Sequence, residues 1–199
     1  MARIAGYGGN VFVATQVIET MDVAWTEQVD GDVTLTLDET DYKVGTGSNK
    51  MVQAAGLAVG DILASEVVAL PTMAALTVGF GWFKSSVNIT TLDDYRVLLD
   101  QHALCASPDC QLSVPILVAN AWKFCRLEVV AGNFAALTAV ISVGIELQAN
   151  DPGAATLWVD ELSAAAQVVG IREWSLDVAA GVQATGGFSD GQAKVFTVT

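Results

Sequence analysis

The sequence predicts an all-β protein, a sandwich or barrel built from many short strands. Three observations carry that expectation. Apolar residues alternate with period two along most of the chain. β-Branched and aromatic residues dominate those runs, and turn clusters rich in Gly, Asp and Asn separate them. The 199 residues, 52% hydrophobic and 16% charged, suffice for one large β domain or two small ones with a real core.

Taken in order, residues 2–18 read as a Gly-rich turn and then an alternating strand carrying Val11 and Val13. After the turn Asp30-Gly31-Asp32, Val33, Leu35 and Leu37 face one way and Thr34, Thr36 and Asp38 the other. The turn Gly45-Thr46-Gly47-Ser48-Asn49 follows. Residues 64–75 and 163–167 are the only helix-tolerant pieces. Leu76, Val78, Phe80 and Trp82 form a second apolar stripe. Ile141, Val143, Ile145 and Leu147 form a third, opposed by Ser142, Gly144, Glu146 and Gln148. Asn150-Asp151-Pro152-Gly153, Gly186-Gly187 and Ser189-Asp190-Gly191 are turns.

The two ends read as one small β motif that has been opened and filled, with Thr15-Gln16-Val17 nearly echoed by Ala166-Gln167-Val168. The expected division is a discontinuous scaffold, 1–20 with 167–199, around an insert at 21–166. Such an insert needs its two junctions adjacent in space.

Charge narrows the function. Nine basic residues stand against 22 acidic ones, for a net charge of −13. That balance argues against nucleic acid and anionic membranes as partners, and suits a subunit kept soluble in many copies. No apolar run approaches the ~18 residues of a membrane helix. Met1-Ala2-Arg3-Ile4 lacks a secretory h-region, so synthesis in a cytoplasm is expected. Of the three cysteines, Cys105 and Cys110 flank a turn and could bridge in an oxidising setting. Free thiols, with Cys125, are the better reading for a protein made in a cytoplasm.

No catalytic constellation emerges. Gly187-Phe188-Ser189-Asp190-Gly191 fits G-x-S-x-G, but no helix follows and the sole histidine, His102, precedes it. His102 reads as a loop histidine rather than a metal ligand. Asp93-Asp94 and Asp160-Glu161 are neighbours on extended chain and point to opposite faces, as solvated charge. Residues 45–50 lack the spacing of a phosphate loop, and Asn88-Ile89-Thr90 is a sequon without a secretory context. Among five tryptophans, alternation assigns Trp82, Trp122 and Trp174 to cores. Trp158 and Trp25 are the candidates for a glycan-stacking platform, although core or inter-domain packing is the better reading for both.

Four fragments follow one another in a familiar order: Tyr42-Lys43-Val44-Gly45-Thr46-Gly47-Ser48-Asn49-Lys50-Met51, Leu76-Thr77-Val78-Gly79-Phe80-Gly81-Trp82-Phe83-Lys84-Ser85, Trp122-Lys123-Phe124-Cys125-Arg126-Leu127 and Thr156-Leu157-Trp158-Val159-Asp160-Glu161-Leu162. Together they make roughly 22–165 resemble the galactose-binding-like jelly rolls of many carbohydrate-binding modules. The resemblance implies a jelly roll, and a structural Ca²⁺ held by Asp160 with backbone oxygens near Gly47. The outer segments, including Val169-Gly170-Ile171-Arg172-Glu173-Trp174-Ser175-Leu176-Asp177 and Lys194-Val195-Phe196-Thr197, resemble the start of tailed-phage tail-tube proteins. That likeness implies assembly through Val11, Val13, Trp174, Leu176 and Phe196. Tail-tube proteins continue into further strands where this sequence stops at Thr199, so the expectation is either that a neighbouring subunit completes the sheet or that only the opening hairpins are kept.

The combined expectation is a jelly-roll sandwich inserted into a small tail-tube-like β scaffold. Its function would be that of a non-enzymatic phage virion protein, made in the host cytoplasm and resident in the particle. It would contact copies of itself and other virion proteins, with no cofactor beyond that calcium. The tail tube comes first and a capsid decoration or cement protein second. A carbohydrate-binding module, meeting surface glycans, is the alternative class.

Overall fold

The computed structural model describes residues 6–7, 10–28, 31–149, 151–168, 173–178 and 182–187, with side chains described from 15 to 166 within those bounds. The chain begins with β1 (Gly6–Tyr7), β2 (Asn10–Glu19), β3 (Thr26–Glu27), β4 (Val33–Asp38) and β5 (Ser48–Gln53). Next come β6 (Ile62–Leu70), β7 (Val78–Ser85), β8 (Tyr95–Asp100), β9 (Cys110–Ser113) and β10 (Lys123–Gly132). Last are β11 (Val140–Leu147), β12 (Ala155–Val168), β13 (Glu173–Val178) and β14 (Val182–Gly187). Short 3₁₀ turns occur at Ala103–Cys105 and Phe134–Ala136. The all-β expectation holds.

The named strand pairs are antiparallel, and they build two layers. One layer runs β4-β5-β12-β7-β10, and the other runs β10-β9-β8-β11-β6-β3. β10 belongs to both. Residues 123–127 pair with β7, residues 128–132 pair with β9, and a register shift between Val129 and Ala131 turns the strand from one layer into the other. Met51, Phe83, Leu112, Leu127, Val143 and Leu157 fill the space between the layers, each at most 1% exposed. Burial of side chains of this size stabilises by about 1.5–3 kcal/mol each.

β12 pairs with β5 through residues 155–159 and with β2 through residues 162–168, so β2 and β5 share one edge of the longest strand. β2 and residues 162–168 of β12 therefore run side by side there, and β12 continues unbroken through residues 166 and 167. β13 and β14 form a hairpin of their own. Val11 and Val13 fall on β2 and Trp174 and Leu176 on β13, but their side chains lie outside the described residues, as do Phe196 and Ser189.

Three sequence expectations are corrected. Residues 64–70 are not helical: they belong to β6, which pairs with β11 and β3. Sheet pairing overrides the helix propensity of their Ala and Glu. Residues 163–167 likewise continue β12. β7 is buried on both faces, so of its apolar stripe Leu76, Val78 and Phe80 are enclosed as expected and Trp82 departs. Phe83 enters the main core, while Val78 and Phe80 pack separately with Ala165 and Trp82 stays half-exposed. The inward side of β7 is lined by glycine, and a Cβ at Gly79 would lie 2.7 Å from Leu112 Cδ1. β11 is covered on both faces, because the turn Ala103–Cys105 sits over Ser142 and Gly144, with Cys105 N donating to Ser142 Oγ at 3.0 Å.

Candidate functional site

The inward turn of Phe83 sends its neighbours Trp82 and Lys84 to the outer face of the first layer. Register builds that face in rows. Thr36, Lys50, Trp158 and Lys84 are consecutive cross-strand partners on β4, β5, β12 and β7. Trp82 stands opposite Phe124, and Phe80 opposite Arg126. Phe124 is 41% exposed; its ring stacks on Phe80 at 5.6 Å and tilts against Trp82 at 5.1 Å. The solvent side of the layer is thus an aromatic strip with charged flanks.

Two aspartates fix the indoles. Asp38 Oδ2 accepts from Trp158 Nε1 at 3.0 Å, and its Oδ1 accepts from Thr40 N, Thr40 Oγ1 and Asp41 N. The Thr40 hydroxyl above all, aided by the Trp158 indole and the two backbone N–H groups, brings the Asp38 carboxyl down to about 2 despite partial burial. Asp41 Oδ1 accepts from Trp122 Nε1 at 2.6 Å, and its Oδ2 holds the Lys84 ammonium. The Lys84 bond is the main reason the Asp41 carboxyl titrates below the ordinary range. Lys84 Nζ lies 4.5 Å from the Trp158 ring centre, Lys50 Nζ 5.6 Å from the same ring, and Lys43 Nζ 6.0 Å from the Trp82 ring.

The segment 39–47 that carries Asp41 and Lys43 crosses this layer and is tied down by two further carboxylates. Asp160 Oδ2 accepts from Lys43 N and from Val44 N at 2.8 Å. Asp22 Oδ1 accepts from Thr46 N, Thr46 Oγ1 and Gly47 N. Gly45 has φ +70° and abuts the Asp22 carboxylate, so no side chain fits there. Asp160 is fully buried, and its Oδ1 has no hydrogen-bond partner. Burial, with a smaller push from Asp22, drives the Asp160 carboxyl upward. An orphan carboxylate oxygen near a second carboxylate fits a hard cation with oxygen ligands. Gly47, the other residue of the calcium expectation, donates its N–H to Asp22 Oδ1.

Trp158 lies half-buried on the strip. Trp25 does not: it is 4% exposed in the core, its N donates to Asn49 Oδ1, and no face of its ring is open for stacking. Trp82 and Trp122, expected in the core, are half-buried members of the strip instead. Phe124, Asp38, Asp41 and Asp22 were missed. Asp22 reaches Thr46 across 24 residues, a contact no local pattern signals. All three cysteines are free and buried, and burial pushes their thiols up, Cys105 to about 11 and Cys110 and Cys125 to about 12. His102 stands on the loop after β8, where Asp100, His102 and Asp109 bring ligand atoms within 4.8 Å of one another. Their oxygens close that loop by accepting from His102 N, Ser107 N and Gln101 N.

The sequence matches no protein-family profile and no curated protein. Solved structures with a similar course of the chain include a family 11 carbohydrate-binding module of a cellulosomal cellulase of Clostridium thermocellum. It is 11% identical, with a TM-score of 0.49, over 76% of this chain and 94% of that one. A family 30 carbohydrate-binding module is 11% identical, with a TM-score of 0.47, over 77% and 88%. A putative sugar binding protein from Bacteroides thetaiotaomicron is 13% identical, with a TM-score of 0.45, over 72% and 86%. None of these solved structures bears on a phage origin. At such identities and scores, what the site can do has to come from its own geometry.

Proposed function

We propose that this chain is a non-catalytic glycan-binding module whose ligand lies along the outer face of the β4-β5-β12-β7-β10 layer. The observation that carries this reading is the strip of Trp82, Trp122, Trp158 and Phe124, with two of its indoles fixed by Asp41 and Asp38. The C–H face of a pyranose ring packs on flat apolar rings, and its hydroxyls require charged or polar groups at the rim. Rings already held in place lose little freedom on binding. A glycan array probed with the full chain tests this. Binding to at least one glycan class is expected, weakened about tenfold or more by Trp158→Ala and by Trp82→Ala. Retention of that binding by both variants would remove the strip as the site.

The same reading includes a calcium ion at Asp160 and Asp22, held for structure rather than chemistry. When bound, it supplies the positive charge that the buried Asp160 lacks.

A second reading, a virion subunit assembling through its chain ends, is favoured by one observation. Among the described residues, β12 covers one edge of β2 over residues 11–19, while on the other edge β1 reaches only Asn10 and Val11. An open edge accepts a strand from a neighbour. In that reading the ends, 1–20 with 167–199, form the assembling scaffold and 21–166 the displayed domain, as a tail tube or a capsid decoration protein. Negative-stain images of the purified protein would show rings or tubes; monomers at high concentration would sink this reading.

A further inference from the structure

The cations on the aromatic strip are unevenly committed. Lys84 is largely buried, with 14% of its side chain exposed, and is held by Asp41. Lys50 is looser, at 4.0 Å from Asp38 with 34% of its side chain exposed. Lys43 is exposed and, among the described residues, has the Trp82 ring for company and no ion-pair partner. The carboxylates beside the rings are in the opposite condition. Both oxygens of Asp38 and both of Asp41 are engaged by Thr40, Asp41 N, Trp158, Trp122 and Lys84. Their depressed pKa values keep them charged and so keep those bonds in place.

The face therefore offers ammonium groups with spare capacity, while the two carboxylates that touch its rings, Asp38 and Asp41, are each held on both oxygens. A neutral sugar hydroxyl can accept from these ammonium groups but forms no ion pair with them. A sugar carboxylate only accepts, and matches them. The chain's net charge of −13 opposes anions at long range. Screening limits that opposition to about 8 Å at physiological salt, so the groups in contact decide.

Resting on the glycan reading above, we propose that the ligand is an acidic glycan, a polysaccharide of uronic acids, with a sugar ring on Trp158 or Trp82 and its carboxylate on Lys50 or Lys43. Lys84 stays with Asp41 and serves to position Trp158.

Calorimetric titration of the full chain with oligogalacturonate, with its methyl ester and with a neutral β-glucan oligosaccharide tests this. The expected result is that the acid binds about tenfold or more tightly than its ester. Lys43→Met with Lys50→Met, which keeps the apolar stems, should reduce the acid to the level of the ester. Lys50→Arg in the Lys43→Met background should restore part of the difference. Trp158→Ala with Trp82→Ala should abolish binding of both ligands. Equal affinity for acid and ester, unmoved by the lysine substitutions, would overturn the acidic preference and leave the glycan reading standing. Binding of the acid that survives loss of both tryptophans would overturn it too, by showing charge attraction away from the rings. Absence of binding to all three oligosaccharides, joined by a blank glycan array, would remove both.

Discussion

Asp38 shows how one residue couples stability to the site. Its carboxylate orients Trp158 and caps the turn at Thr40, and it titrates at about 2 in the folded chain against 3.8 when free. A carboxyl lowered in this way stabilises the fold above its unfolded pKa, and that stabilisation is lost as pH falls from about 4 to about 2. The side chain is partly solvated, which holds the contribution to at most about 2 kcal/mol. Acid titration followed by tryptophan fluorescence should show a loss of stability in that window, and Asp38→Asn should flatten it. An unchanged acid transition in the variant would mean that Asp38 is not the group responsible. Nothing near Asp38 in the sequence identifies Trp158, 120 residues away, as its partner. Residue chemistry of this kind is set by register, which composition and spacing do not carry.

The strands themselves were mostly legible. β4 alternates as written, with Val33 buried and Thr34 and Thr36 exposed. β7 is buried on both faces, and its glycine side was passed over for a physical reason. It carries two apolar sides, and the bulkier one, Val78-Phe80-Trp82, suggests a core stripe. Yet Gly79 and Gly81 let Leu112, Leu127 and Leu162 fill the interior. Glycine opposite leucine is an interior signature that a count of apolar side chains passes over. The 39–47 segment is the other element that matters, because it brings Asp41 and Lys43 to the strip while Asp160 and Asp22 hold it from below. If calcium occupies the Asp160 site, chelator should lower the melting temperature of the wild type by several degrees, with calcium restoring it. Asp160→Asn, which retains an acceptor for Lys43 N and Val44 N, should melt at the same temperature with and without calcium. A wild type indifferent to chelator would exclude the ion.

At the scale of the molecule, the two layers have different outer faces. On the β8-β11 side, a short turn and a buried serine close over the sheet. On the β12-β7 side, the sheet shows rings to solvent, ordered by two aspartates and flanked by the lysines of an otherwise acidic chain. Alternation directed attention to Trp158, and the jelly-roll resemblance to Asp160. Neither predicted that Trp82 and Trp122 would join Trp158, while the packed reading of Trp25 holds. The central claim, that this ordered face is where the protein meets a glycan, is tested most directly by indole ¹⁵N–¹H spectra. They would be recorded while a panel of soluble neutral and acidic oligosaccharides is titrated in. The account predicts that at least one oligosaccharide shifts the Nε1–H signals of Trp82, Trp122 and Trp158 together while Trp25 stays fixed. A panel that moves none of these three signals, or that moves Trp25 while they remain still, would contradict it.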